Sequence, residues 1–204
     1  MMTAADEGFM ETSSGVKFSL SRPDPRLVRL EDIAYALSQI CRFTGHCRRF
    51  YSVGQHSIVV AGWLKANGYP PHVQMAGLLH DAAEAYVGDL STAVKGLISG
   101  YKEIEEGVLY AIFQALNVDW PTREVWSAVK TADLAVLAVE AEHLMPSKGS
   151  WWGLSPSPLH VHPAENVRSE VYSNDVRAIF LTWFSYLWDA IIADSALEYG
   201  EAEE

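Results

Sequence analysis

Apolar residues recur at helical spacing through most of the chain, and polar positions fall between them with the same period. In the stretch LEDIAYALSQICRF, starting at Leu30, the residues Ile33, Leu37 and Ile40 share one face. Glu31 and Asp32 occupy the first turn, where the helix dipole favours them. SVGQHSIVVAGWLKANG predicts a helix capped by Ser52 and stopped at Asn67-Gly68. YPPHVQMAGLLHDAAEAYVG predicts a single helix that opens on prolines and closes near Gly88. YKEIEEGVLYAIFQALNV is amphipathic with an acidic outer face, and PTREVWSAVKTADLAVLAVEAEHLM predicts a long helix ended by Pro146. PSKGSWWGLSPSPLHVHP reads as a long loop of the kind that forms lids or linkers. A last helix follows, with a break expected near Ser173-Asn174.

This pattern predicts an all-α, single-domain helical bundle. Residues 1–27 form an N-terminal extension, 28–196 the bundle with a loop at about 146–164, and 197–204 a solvated acidic tail. A chain of 204 residues supports one full core, and with about half of its residues apolar it is not a disordered sequence. There is no uninterrupted run of eighteen apolar residues, and the N-terminus lacks a basic start followed by an apolar stretch. No membrane partner is therefore expected. Cys41 and Cys47 are too few for a disulfide framework and lack a Cys-x-x-Cys spacing, which fits a reducing, cytoplasmic compartment.

The formal charge of −11 disfavours a nucleic acid polymer as partner, but its distribution is uneven. Between Asp32 and Asp81 there is no acidic residue, while Arg42, Arg48, Arg49 and Lys65 give the segment +4 and leave −15 on the rest. A basic island of that size in an acidic chain suits a compact anion. Solvated surface arginines are the plain alternative.

Four chemistry-bearing residues stand in strongly apolar helices: His56, the adjacent pair His80 and Asp81, and Asp133. Buried charges are normally paired, hydrogen-bonded or bound to a metal. Singly, each has an ordinary core or capping explanation. Jointly, two imidazoles and two carboxylates make a mixed nitrogen and oxygen site suited to one divalent metal ion, whether Co, Mn, Zn, Fe, Ni or Mg. Glu84 follows His80 by four residues and Asp81 by three, and so shares their helix face.

The order His…His-Asp…Asp resembles the signature of HD-domain metal-dependent phosphohydrolases. HDAAEAYVGDLSTAVK is similar to the HD-x-x-E-x-x-x-x-D-x-x-x-x-x-K segment of their deoxynucleotidase-like branch. That branch includes bacterial 5′-deoxynucleotidases and phage dATP triphosphohydrolases. EDIAYALSQICRFTGHCRRFYSVGQHS resembles the same branch in its small phage-type members, and the likeness spans residues 28–145. The resemblance implies an HD-domain helical bundle in which His56, His80, Asp81 and Asp133 hold one divalent ion. It implies an acid–base pair in Glu84 and Asp89, and phosphate binding by Arg42 and Lys95. A bound metal would lower the pKa of a water and polarise a phosphoryl oxygen. Arg42 could grip two phosphate oxygens at once.

His46 and Arg48 in RFTGHCRR are further candidates for a phosphate tail, and Phe43 for stacking on a base. Trp151 and Trp152 are lid aromatics or an oligomer contact, and His143, His160 and His162 fall outside the pattern. The expected activity is that of a dNTP triphosphohydrolase, with dATP favoured by the resemblance alone, releasing deoxynucleoside and triphosphate. A 5′-deoxynucleotidase acting on dNMPs is the close alternative. A non-catalytic metal- or nucleotide-binding helical module is the distant one, disfavoured by the proton donors beside the site. The apolar faces of the last two helices suggest a homo-oligomer.

Overall fold

A computed structural model describes residues 8–154 and 173–200. The fold is all-α, with one two-stranded hairpin at its start. Strands β1 (Phe9–Glu11) and β2 (Lys17–Ser19) pair antiparallel, with Met10 opposite Phe18. The helices are α1 (Leu30–Gln39), α2 (Val53–Ala66), α3 (Pro71–Leu79), α4 (Glu84–Val87), α5 (Thr92–Lys95), α6 (Tyr101–Ala115), α7 (Arg123–Leu144) and α8 (Ser173–Gly200). The expected residues 155–172, with His160, His162 and the rest of the long loop, lie outside the described residues, as does the acidic end of the tail.

Helix α2 is the centre of the bundle. It packs against α1, α3, α7 and α8, and ten of its residues are buried, so its sequence is apolar nearly all round. Ser52 caps it as expected, within a reciprocal capping box: its hydroxyl accepts from the Gln55 amide at 3.1 Å, and the Gln55 side chain accepts from the Ser52 amide at 3.1 Å. Val53 and Ala61 face a core shared with α1, α3, α6 and α8, while Val59, Val60, Trp63 and Leu64 face one shared with α7. Helix α3 approaches α2 so closely that a Cβ on Gly77 would run into the buried Leu64 side chain.

The single helix expected from Tyr69 to Gly88 is interrupted. After Leu79 the amides of Ala82, Glu84 and Ala85 bond to carbonyls three residues back, a tighter winding than an α-helix. One cause is chemical: the Gly77 carbonyl accepts from the His80 ring at 2.8 Å, in place of a backbone amide one turn on. Asp81 and Glu84, which would share a face on an unbroken helix as well, both line the same hollow. Helix α1 also ends earlier than its pattern suggested, at Gln39, because Cys41 leaves in extended backbone to bridge Ser52.

By length and composition the stretch Ser173–Asp194 of α8 could cross a membrane, although no apolar run in it is unbroken. Here Val176, Phe180 and Leu187 are instead buried in the core, and Ile179, Tyr186 and Ile192 look outward.

The hairpin was not foreseen in the N-terminal extension. It is pinned to α1 through Asp32, whose buried carboxylate accepts from Thr12 Oγ1 (2.8 Å), Ser13 Oγ (2.6 Å), Ser14 Oγ (2.7 Å) and the Ser14 amide (2.8 Å). Burial acts to raise the Asp32 pKa, but these four donors hold it below the ordinary value. A carboxyl so depressed stabilises the fold in full above its ordinary pKa and loses that contribution as pH falls through the depressed one. Asp32→Ala should cost about 3 kcal/mol at neutral pH and flatten the acid limb of stability, as read by urea denaturation between pH 2 and 7. An unchanged acid limb would mean the hairpin is held by packing alone.

Candidate metal centre and cleft

Three segments converge on the break after α3. His56 comes from the first turn of α2, His80 and Asp81 from the turn after α3, and Asp133 from the middle of α7. His56 Nε2 lies 3.3 Å from His80 Nε2 and 3.7 Å from Asp81 Oδ2, and His80 Nε2 lies 3.2 Å from the same oxygen. The ligand atoms of His56, His80 and Asp81 all fall within 4.8 Å of one another, so the cluster could hold a metal ion. Asp133 Oδ1 is 3.3 Å from His56 Nε2, and its other oxygen accepts from Lys130 Nζ at 2.8 Å.

The tautomers fit that use. His80 Nδ1 faces a carbonyl and His56 Nδ1 faces a carboxylate at 2.7 Å, and neither oxygen can donate. Each ring must therefore donate from Nδ1, which turns the Nε2 lone pairs of the neutral rings toward each other. Two lone pairs at 3.3 Å repel unless a cation or a proton stands between them. Ligand atoms that share one ion at about 2.1 Å sit about 3.0–3.4 Å apart at tetrahedral or octahedral angles, the spacing found here.

The carboxylate on His56 is Glu140, which the sequence reading passed over. It is wholly buried, and its second oxygen accepts from Arg42 Nη2 at 3.0 Å. The available signal was its position: Glu140 follows Asp133 by seven residues, two helical turns along the same apolar face.

Burial and Arg42 work against a charged His56, yet Glu140 and Asp133 lift its imidazole to about 9. Burial likewise opposes a charged Asp81 and Asp133. The two histidines nevertheless hold both carboxyls well below the usual range, helped by Arg42 at Asp81 and by Lys130 at Asp133.

The cluster opens into a cleft of about 610 Å³. Arg42, Phe43, Asp81, Glu84, Asp89, Lys95 and Asp133 all line it, with Lys130, Leu137, Trp151, Trp152 and Leu154. His46 and Arg48 do not: both are exposed on the outer side of the loop, where the Arg48 amide bonds to the Leu144 carbonyl at 2.8 Å. His143 is away from the cleft too, with its ring on the Val139 carbonyl at 2.8 Å. Phe43 and Thr44 sit at φ 57° and 53°, an uncommon conformation for side-chain-bearing residues, and Phe43 meets Trp152 at 5.8 Å between ring centroids. The Trp152 indole N–H is buried there without a partner among the described residues, while Trp151 is 77% exposed.

Arg42 and Lys95 both have protein partners. Arg42 Nη1 is 3.7 Å from Asp81 in addition to its bond with Glu140. Lys95 Nζ bonds Glu84 Oε1 at 3.1 Å and Glu105 Oε1 at 2.7 Å. Glu84 is 3% exposed, and its Oε2 is buried with no partner among the described residues. Burial first, then the charges of Asp81 and Asp89, push its carboxyl up to about 9 against the pull of Lys95. Burial and Asp81 also raise Asp89, which follows Gly88 at φ 80°; that left-handed turn brings the chain back over the hollow.

These observations define a helical protein with a His-His-Asp cluster that could hold a metal ion, beside a cleft lined by carboxylates, cations and aromatic side chains. The chain is 35% identical over 144 residues to the uncharacterized protein YfdR of Escherichia coli, covering 71% of this chain and 76% of that protein. It belongs to that protein's family. An uncharacterized protein of Rhodobacter capsulatus is 34% identical over 139 residues, covering 64% of this chain and 70% of its own. No family model matches the chain.

A carboxyl whose pKa is raised by folding keeps a proton that the unfolded chain has released, so stability falls as pH rises from the ordinary value toward the raised one. In metal-free protein this loss should approach about 1 kcal/mol per pH unit up to about pH 9. Glu84→Gln should remove much of that slope and raise stability at pH 8, as read by denaturation in the presence of a chelator. A slope identical to that of the wild type would show that Glu84 is ionised in the folded state.

Proposed function

We propose that the protein is an HD-type phosphohydrolase that uses one divalent metal ion to cleave a deoxynucleoside triphosphate into deoxynucleoside and triphosphate. The observation that carries this reading is the juxtaposition of the His56, His80 and Asp81 cluster with a buried carboxyl, Glu84, on the wall of the same cleft. A structural ion would need no proton donor beside it. In this reading Asp133 completes the set of ligands, through the oxygen that faces His56. A bound divalent ion supplies a Lewis acid for the phosphoryl oxygens and an activated water.

The chain's own residues do the rest. Asp89, on the returning turn, takes a proton from the attacking water. The water oxygen bonds to the α-phosphorus, and the bond from that phosphorus to the 5′ oxygen breaks. Glu84, whose raised pKa keeps it protonated, gives its proton to the departing 5′ oxygen. Lys95 holds the other Glu84 oxygen and steadies that geometry. Arg42 and Lys130 face the phosphate side of the cleft, and Lys130, 66% exposed at its side chain, supplies a cation at the rim for a longer phosphate tail. Phe43, Trp151 and Trp152 offer flat surfaces for a base. The free thiols of Cys41 and Cys47 suit a cytoplasmic protein, and the outward Ile179, Tyr186 and Ile192 suit self-association.

The test is an assay of protein loaded with Mn²⁺ or Co²⁺ against dATP, the other dNTPs and the dNMPs, with products separated by chromatography. Deoxynucleoside and tripolyphosphate are expected, and turnover should stop on chelation. Glu84→Ala should lower kcat at least 100-fold while metal uptake and the circular dichroism spectrum persist. Hydrolysis confined to monophosphates would overturn the triphosphate assignment. Absence of hydrolysis with every metal would overturn the enzyme.

A further inference from the structure

Glu140 is wholly buried and sits two turns beyond Asp133 on α7. Its two oxygens serve different masters. Oε1 accepts from His56 Nδ1 at 2.7 Å, on α2, and Oε2 accepts from Arg42 Nη2 at 3.0 Å, in the Arg42–Gly45 loop. Burying a carboxylate and a guanidinium together is poor value for stability, since well-packed apolar residues of similar volume commonly do as well. What the carboxylate does supply is direction. It obliges the neutral His56 ring to carry its proton on Nδ1 and to turn the Nε2 lone pair toward His80 and Asp81. It holds Arg42 by one terminal nitrogen and leaves Nη1 on the cleft side, 3.7 Å from Asp81.

We infer that Glu140 is a positioning residue that sets the metal affinity of the cluster through His56 and fixes Arg42 toward the anion. The inference rests on the metal reading above, and its arginine half rests also on a phosphate-bearing substrate. An oriented carboxylate behind a ligand histidine fixes the ring and raises its basicity, and loss of such a partner costs 10–100-fold in affinity. Glu140 adds a second connection: one side chain ties the ligand on α2 to the cation of the loop.

An amide has one acceptor oxygen and cannot serve both donors, so Glu140→Gln must give up either His56 or Arg42. Glu140→Leu gives up both. Calorimetric titration of Mn²⁺ into the wild type and both variants should show affinity reduced 10–100-fold in Glu140→Leu and by an intermediate factor in Glu140→Gln. In nitrogen-15 NMR of metal-free protein at pH 10, where His56 is neutral, the wild type should show a single Nδ1–H tautomer that mixes or inverts in Glu140→Leu. Circular dichroism should be unchanged in Glu140→Gln, and its KM for nucleotide should rise more than its kcat falls. Wild-type metal affinity and an unaltered tautomer in both variants would overturn the proposal. If Glu140→Leu does not fold, the Glu140→Gln affinity and tautomer decide alone. If the wild type takes up no Mn²⁺, the metal reading fails, and the tautomer in the variants still judges whether Glu140 orients His56.

Discussion

The rest of the site depends on the pairing of buried charges inside an apolar bundle. His56 and Glu140 have no exposed surface, and Arg42 has little, so none can be satisfied by water. Each must be met by another group at hydrogen-bonding distance, and the 2.7 Å contact between His56 and Glu140 is the shortest link in that set. An error of an ångström in the packing of α2 against α7 would strand a carboxylate and an imidazolium in a medium that solvates neither. The close fit of Gly77 beneath Leu64 and the capping box at Ser52 therefore matter beyond α2 and α3 themselves. They fix the axial and rotational position of the helix that carries His56.

The break after α3 is the second determinant of the site. On a continuous helix His80, Asp81 and Glu84 would already lie on one side. Tight winding from Leu79 to Ala85 resets the angles at which they leave the backbone, and the His80 side chain helps impose it by occupying the Gly77 carbonyl. The residue that offers Nε2 to the cluster thus also shapes the backbone that presents its neighbours. This economy explains why propensity alone misleads here. Leu, Ala and Glu all favour helix, and the local preference yields to a side chain that competes for a backbone acceptor.

The charges in the cleft separate into two kinds. Asp81 and Asp133 face the two histidines and stay ionised despite burial. Glu84 and Asp89 are pushed toward the protonated form first by burial and then by neighbouring carboxylates, against the pull of Lys95 at Glu84 and of Arg42 at Asp89. Carboxyl groups so close in space acquire opposite tendencies from their surroundings, which is the arrangement that acid–base chemistry needs. Lys95 limits the effect at Glu84 without reversing it. Glu84, Arg42 and Lys130 all line the same cleft.

Much was legible in the order of residues. Helical periodicity is a local property, so α2, α6 and α7 stand close to where their apolar spacing puts them, with Ser52 at the expected start of α2. The gathering of His56, His80, Asp81 and Asp133 was legible too, because charged groups in strongly apolar helices leave few arrangements except convergence. What the tertiary structure alone decided was partnership. Glu140 reads as one acidic residue among several near the end of α7, and only the approach of α2 and the Arg42 loop turns it into the shared acceptor of a histidine and an arginine. His46 and Arg48 share the basic island with Arg42, yet the loop's left-handed turn sends them outward. Asp32 looks like an ordinary first-turn acid until the hairpin folds onto it. Spacing along a chain determines which side chains share a face, whereas the pairing of buried polar groups depends on segments far apart in sequence, brought together by packing.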